Sequence, residues 1–160
     1  MFYFYSWIFN FNKEPITHAT IKSMLDMIAH RGPDGEGIYI DDYLALGHKR
    51  LSILDISPSG SQPMGSKNGE WIIIFNGCIY NYLDLKIDLK NKGHQFISTG
   101  DTEVICEGIA EYGIDFIKKL DGAFPQLFSA NTNHNDYKMN KIKLRDELYS
   151  IKLFDTIKLK

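Results

Sequence analysis

An unbroken apolar run, Trp71-Ile72-Ile73-Ile74-Phe75, closed by Asn76-Gly77, is the feature that most limits what this chain can fold into. Bulky β-branched and aromatic residues in succession, with no polar alternation, read as a strand covered on both faces. Asn-Gly is the pair most tolerant of positive φ, so the chain is expected to turn there. A rigid strand ending in such a turn can aim a side-chain amide and the adjacent backbone N–H at one point. Two convergent donors are what an oxyanion hole requires. An ordinary hairpin turn is the other reading of the same residues.

Short strands and amphipathic helices flank this strand in the sequence. Met1 to Phe11 holds seven aromatics and reads as an N-terminal strand, or as a strand with a disturbed leader. Thr17 can cap a helix through Ala29, with Ile21, Met24, Leu25 and Ile28 on one face. His30-Arg31-Gly32-Pro33-Asp34 breaks it, and Gly37–Ile40 with Leu44–His48 reads as a hairpin. Leu51 to Ile56 is a further apolar segment, and Ser57 to Gly69 is a Ser/Pro/Gly loop. Tyr82–Lys92 and Thr102–Tyr112 are expected helices, stopped by Gly93 and Gly113. His94–Ile97 reads as a short strand and Ile114–Leu120 as a helical turn. Ala123–Ser129 reads as a strand that Pro125 confines to an edge. Lys138–Leu144 is the last expected strand. Strands, then two helices together, then strands point to α+β layers rather than a βαβ alternation.

Composition narrows the function. The chain has 160 residues, suited to one domain with a real core, and a net charge of −2. With no basic stripe, nucleic acid is not an expected partner. The aromatic leader lacks a cationic start and is too short to span a bilayer, so no membrane partner is expected. Cys78 and Cys106 have neither metal-ligand spacing nor a disulfide framework, so a reducing cytoplasm is the expected location. Only three of the 18 cationic Lys and Arg residues are arginines, which draws attention to each.

Arg50 stands between Leu46-Gly47-His48-Lys49 and Leu51-Ser52-Ile53-Leu54. It can hold a ligand carboxylate through two parallel hydrogen bonds, or form a surface ion pair. Asp101 opens a helix and can serve as its cap or accept from a ligand ammonium. Together with Asn76 and Gly77 facing a side-chain carbonyl, the pair would grip an amino acid such as glutamine. His30-Arg31-Gly32-Pro33-Asp34 either shapes the pocket wall or pairs internally, and no catalytic role is assigned to it.

The stretches HRGPDGEGIY (30–39), LGHKRLSILDIS (46–57), QPM (62–64), IFNGCIYNYLDL (74–85), Gly93-His94 with Phe96, GDTEVI (100–105) and LDGAF (120–124) resemble the class II glutamine amidotransferase domain of glutamine-hydrolysing asparagine synthetases. The match is clear over 8–124 and degenerate over 125–160, with an echo at Leu144-Arg145-Asp146. The resemblance implies one domain over 1–160 with the N-terminal-nucleophile hydrolase fold, a four-layer αββα sandwich of antiparallel sheets. It implies an N-terminal cysteine that attacks the glutamine amide and releases ammonia for asparagine synthesis, its own α-amine acting as base. It places Arg50, Leu51, Ser52, Ile53 and Leu54 along the glutamine carboxylate, Asn76 and Gly77 at the oxyanion, and Asp101 on the ammonium.

The departures fall at the chemistry. Phe2 or Tyr3, depending on register, occupies the expected nucleophile position, and neither carries a thiol. Cys78 replaces a glutamate beside the ammonium. It is internal, has no α-amine, and is not expected to substitute as nucleophile. The synthetase half, with its ATP and magnesium, is expected to be absent, so no cofactor or metal is expected here. The expected function is therefore an impaired or inactive glutaminase domain with glutamine as ligand. Two alternatives stand beside it. One is a non-catalytic module that binds glutamine or pairs with a separate synthetase chain. The other is an active enzyme whose start is mis-assigned.

Overall fold

Apolar strands and amphipathic helices settle into four layers over residues 4–51 and 57–131, the residues that the computed structural model describes. In chain order they are β1 (Phe4–Phe9), α1 (His18–Met27), β2 (Gly35–Asp41), β3 (Leu44–Arg50), β4 (Met64–Gly65), β5 (Trp71–Ile79), α2 (Tyr82–Asn91), α3 (Asp101–Tyr112) and β6 (Gly122–Asn131). Short 3-10 turns occupy Ala29–Arg31, Pro58–Gly60 and Ile114–Lys119. Phe2, Tyr3, Ser52, Ile53, Leu54, the strand expected at 138–144 and the echo at 144–146 lie outside the described residues.

One antiparallel sheet runs β1-β3-β2 and the other β4-β5-β6. Alternation along each strand assigns its two faces. Ile72 and Ile74 of β5 pack with Phe9, Leu44 and Leu46 to fill the space between the sheets. Trp71, Ile73, Phe75 and Ile79 point the other way, onto Leu89 of α2 and Val104, Ile105 and Ile109 of α3. On the far side α1 lays the fully buried Leu25 against β3. A Cβ on Gly47 would sit 2.9 Å from a Leu25 methyl, so the absent side chain lets the helix settle on the sheet. Helix, sheet, sheet and helices stack as the expected αββα sandwich.

The helix signals act as anticipated. Thr17 accepts from Thr20 N at 3.3 Å to start α1. Gly93 at φ 99° and Gly113 at φ 71° follow the ends of α2 and α3. Asn81, just before α2, ties that helix to the far end of the layer. Its Nδ2 donates to Lys119 O at 2.9 Å, and its Oδ1 accepts from Asp121 N at 2.9 Å. Tyr80 N donates to Asp121 O at 2.7 Å beside it.

Two expectations change. Asn76-Gly77 is not a turn, because β5 continues through both residues to Ile79. Asn76 pairs with Gln126 and Cys78 with Ala123, so β6 advances three residues while β5 advances two. The extra residue is a bulge that sets Phe124-Pro125 opposite Gly77, and a bulge on an edge is where a residue without an N–H fits. His94–Ile97 is not a strand. The buried Glu103 carboxylate accepts from Ile97 N at 3.0 Å, from Ser98 N at 2.7 Å and from Ser98 Oγ at 2.8 Å. It takes the backbone donors that a neighbouring strand would have taken.

Gly108 of α3 faces the fully buried Phe116, and a Cβ there would lie 2.0 Å from the ring. Alanine in a helix interior normally stabilises relative to glycine by roughly 0.5–1 kcal/mol. Here overpacking reverses the sign, and Gly108→Ala is expected to cost about 1–3 kcal/mol in urea unfolding. Pairing it with Phe116→Leu should recover part of the loss.

Candidate functional site

Arg50 closes β3 and is 7% exposed. Counting by twos from Leu44 and Leu46 puts His48 and Arg50 on the face turned toward the second sheet. The Arg50 guanidinium donates from Nη1 to Ser57 O at 2.7 Å and reaches Ser61 Oγ at 3.5 Å. Burial, aided by the Arg50 charge, pulls His48 down to about 4, so it is neutral at pH 7. The turn that begins at His30 explains why Arg50 sits where it does. A Cβ on Gly32 would lie 2.6 Å from Lys49 C and 2.8 Å from Arg50 N, and Asp34 N donates to Arg50 O at 3.0 Å. The motif works through its backbone, packing flush on the end of β3. The Arg31 side chain donates from Nε to His30 Nε2 at 3.3 Å.

The same count along β5 places Asn76 and Cys78 on the inter-sheet face with Ile72 and Ile74. Arg50 and Asn76 thus share one gap from opposite sheets. Asp101 is the first residue of α3, and its neighbour Gly100 is the cap. Its Oδ2 accepts from Ile79 N at 2.9 Å, which joins the start of α3 to the end of β5. Burial pushes the Asp101 carboxyl above its ordinary value, although hydrogen bonds from Ile79 and the helix start oppose the rise. Burial and then the Asp101 charge also push the Cys78 thiol up.

Gln62 is a residue that sequence reasoning passes over except as part of its motif. It is 2% exposed, accepts from Phe75 N at 2.7 Å through Oε1 and donates from Nε2 to Thr102 Oγ1 at 3.3 Å. A loop glutamine is solvated by default, and nothing in the local pattern marks this one as buried.

A second polar cluster lines a cavity of about 390 Å³ on the helical layer. His94 Nδ1 meets Glu107 Oε2 at 2.9 Å and Nε2 meets Glu111 Oε2 at 3.2 Å. Glu107 also accepts from Lys67 N at 2.9 Å, and Lys92 Nζ pairs with Glu111 at 2.8 Å. This group holds the loop after α2 against α3. Among the described residues no helix is long and apolar enough to cross a membrane.

The family profile of the glutamine amidotransferase domain matches residues 5–148. The chain belongs to that family. Asparagine synthetase [glutamine-hydrolyzing] 1 of Bacillus subtilis is 39% identical over 129 residues, which are 78% of this chain and 20% of that protein. Asparagine synthetase [glutamine-hydrolyzing] 1 of Arabidopsis thaliana is 43% identical over 99 residues, covering 61% of this chain and 16% of its own length. The chain therefore spans about a fifth of the curated relatives it matches. Among solved structures, the glutamine phosphoribosylpyrophosphate amidotransferase of B. subtilis superposes with a TM-score of 0.68 at 19% identity. That match covers 86% of this chain and 36% of the other. That likeness shows that the two share a fold.

The His94 cluster makes stability depend on pH. Burial lowers its pKa, but the Glu107 and Glu111 hydrogen bonds more than offset this, so the folded value lies above the ordinary 6.5. A raised histidine stabilises fully below the unfolded pKa and loses that contribution as pH rises through the folded one. Urea midpoints are therefore expected to decline from about pH 6.5 upward, and His94→Gln should flatten this dependence.

Proposed function

We propose that this chain is a glutaminase-type domain that offers a glutamine site without a thiol poised to attack. Arg50 would meet the glutamine carboxylate, with Leu51, Ser52, Ile53 and Leu54 beside it. Asn76 and Gly77 would face the side-chain carbonyl. Asp101 would accept from the ammonium, alongside the donors it already has from Ile79 and the start of α3. The relatives are named as glutamine-hydrolysing asparagine synthetases, which supports glutamine as the ligand.

The loss of hydrolysis is carried by one observation, the state of the only two cysteines. Cys78 is partly buried beside Asp101, and both effects favour its protonated form. Cys106 is fully buried in α3, where burial pushes its thiol far up, and its Sγ lies 3.6 Å from Met64 O. Attack requires the thiolate, which neither environment supports. Phe2 or Tyr3 stands where the family resemblance places the nucleophile. In this reading a separate chain carrying the ATP- and magnesium-dependent synthetase half is the candidate partner. The compartment is the cytoplasm, with neither nucleic acid nor a membrane surface involved.

Purified protein given glutamine should release no ammonia above buffer, and Cys78→Ala should change nothing. Turnover that disappears in Cys78→Ala would overturn the reading. Calorimetry should show glutamine binding no tighter than about 1 mM, because Cys78 stands where a glutamate would supply a second charge for the ammonium.

A further inference from the structure

Arg50, Asn76 and Asp101 sit on three different elements, β3, β5 and α3, and a shared ligand requires their spacing to be fixed. We propose that Gln62 is the positioning residue that sets this spacing. The inference rests on the glutamine-site reading of those three residues. It adds that their alignment depends on a side chain that would never touch the ligand.

Strand β4 pairs only Met64 with Ile73 and Gly65 with Ile72. Beyond Ile73 that edge of β5 has no strand neighbour among the described residues. The Gln62 amide stands in for the missing peptide: its Oε1 takes the Phe75 N–H at 2.7 Å, one residue before Asn76. Its Nε2 reaches Thr102 Oγ1 at 3.3 Å, one residue after Asp101. A primary amide carries an acceptor and a donor on one rigid plane, so it can pin β5 and α3 together.

Its backbone is pinned as well. A Cβ on Gly37 of β2 would lie 2.0 Å from Gln62 O, so the loop rests directly on the first sheet. The preceding residue, Ser61, and Ser57 are the partners of the Arg50 guanidinium. One six-residue loop, 57–62, thus holds Arg50 by its carbonyl and hydroxyl and holds the other two elements by one amide. A buried amide with both ends satisfied resists displacement, because moving it strands a donor and an acceptor.

The test uses Gln62→Met and Gln62→Leu, each of which removes both bonds; Thr102 is kept, because its hydroxyl also bonds the Asp101 carboxyl. Nitrogen–proton spectra of the free protein are read at Arg50 Nε and Gly77 N, neither of which adjoins the changed atoms. Glutamine is then titrated while the same signals are followed. Both reporters should shift in both variants, and where the parent protein responds to glutamine the variants should bind about tenfold more weakly, as loss of one well-made hydrogen bond allows. Should one of the two fail to fold, the other decides alone. Changes confined to Phe75 and residue 102, with only a lower melting temperature, would show a merely structural amide and overturn the proposal, as would unchanged affinity in a responding protein. If the parent shows no response to glutamine, the glutamine-site reading fails, and the two reporters alone decide whether Gln62 couples the three elements.

Discussion

Strand β5 is covered on both faces, and the architecture follows from that requirement. Six of the nineteen buried apolar residues among those described belong to it. Its even-numbered residues need a second sheet, and its odd-numbered ones need helices. A strand that is apolar on only one face would have been satisfied by two layers. The polar residues at its end inherit the same division. Asn76 and Cys78 face the other sheet, while Ile79 presents its N–H to Asp101 and its side chain to the helical core.

Most of the fold was legible in the sequence because its signals are local. The β5 run, the Thr17 cap and the glycines after α2 and α3 each act on their immediate neighbours. Asn76-Gly77 misled because the pair is permitted in a turn without being committed to one. A bulge in a strand some fifty residues later absorbs the irregularity instead. His94–Ile97 misled for a related reason: a carboxylate from α3 replaced the strand partner that the pattern implied. Of the site, Arg50 and Asp101 could be found by residue type and context. Gln62 could not, since its side-chain amide bonds residues 13 and 40 positions away.

The chemistry and the scaffold have separable requirements in this family. Holding an amino acid calls for fixed charges and donors at strand ends, which rigid elements supply. Cleaving it calls for a thiolate beside a base. In this chain the two cysteines occupy surroundings that favour the neutral thiol, one deep in a helix and one beside a carboxylate. In the reading proposed above, the scaffold keeps the first set of requirements and lacks the second.

Asn81 gives the helical layer a property of its own. The chain leaves β5 at Tyr80, makes α2 and α3, and returns to Asp121, where the Asn81 amide and the Tyr80–Asp121 bond bring departure and return together. The entropy of closing such an excursion grows only slowly with its length. Residues could therefore be inserted into or deleted from the links within this layer over evolutionary time with little effect on how β5 and β6 pair. That makes the helical layer the part of the domain most open to divergence in size among descendants of a common ancestor.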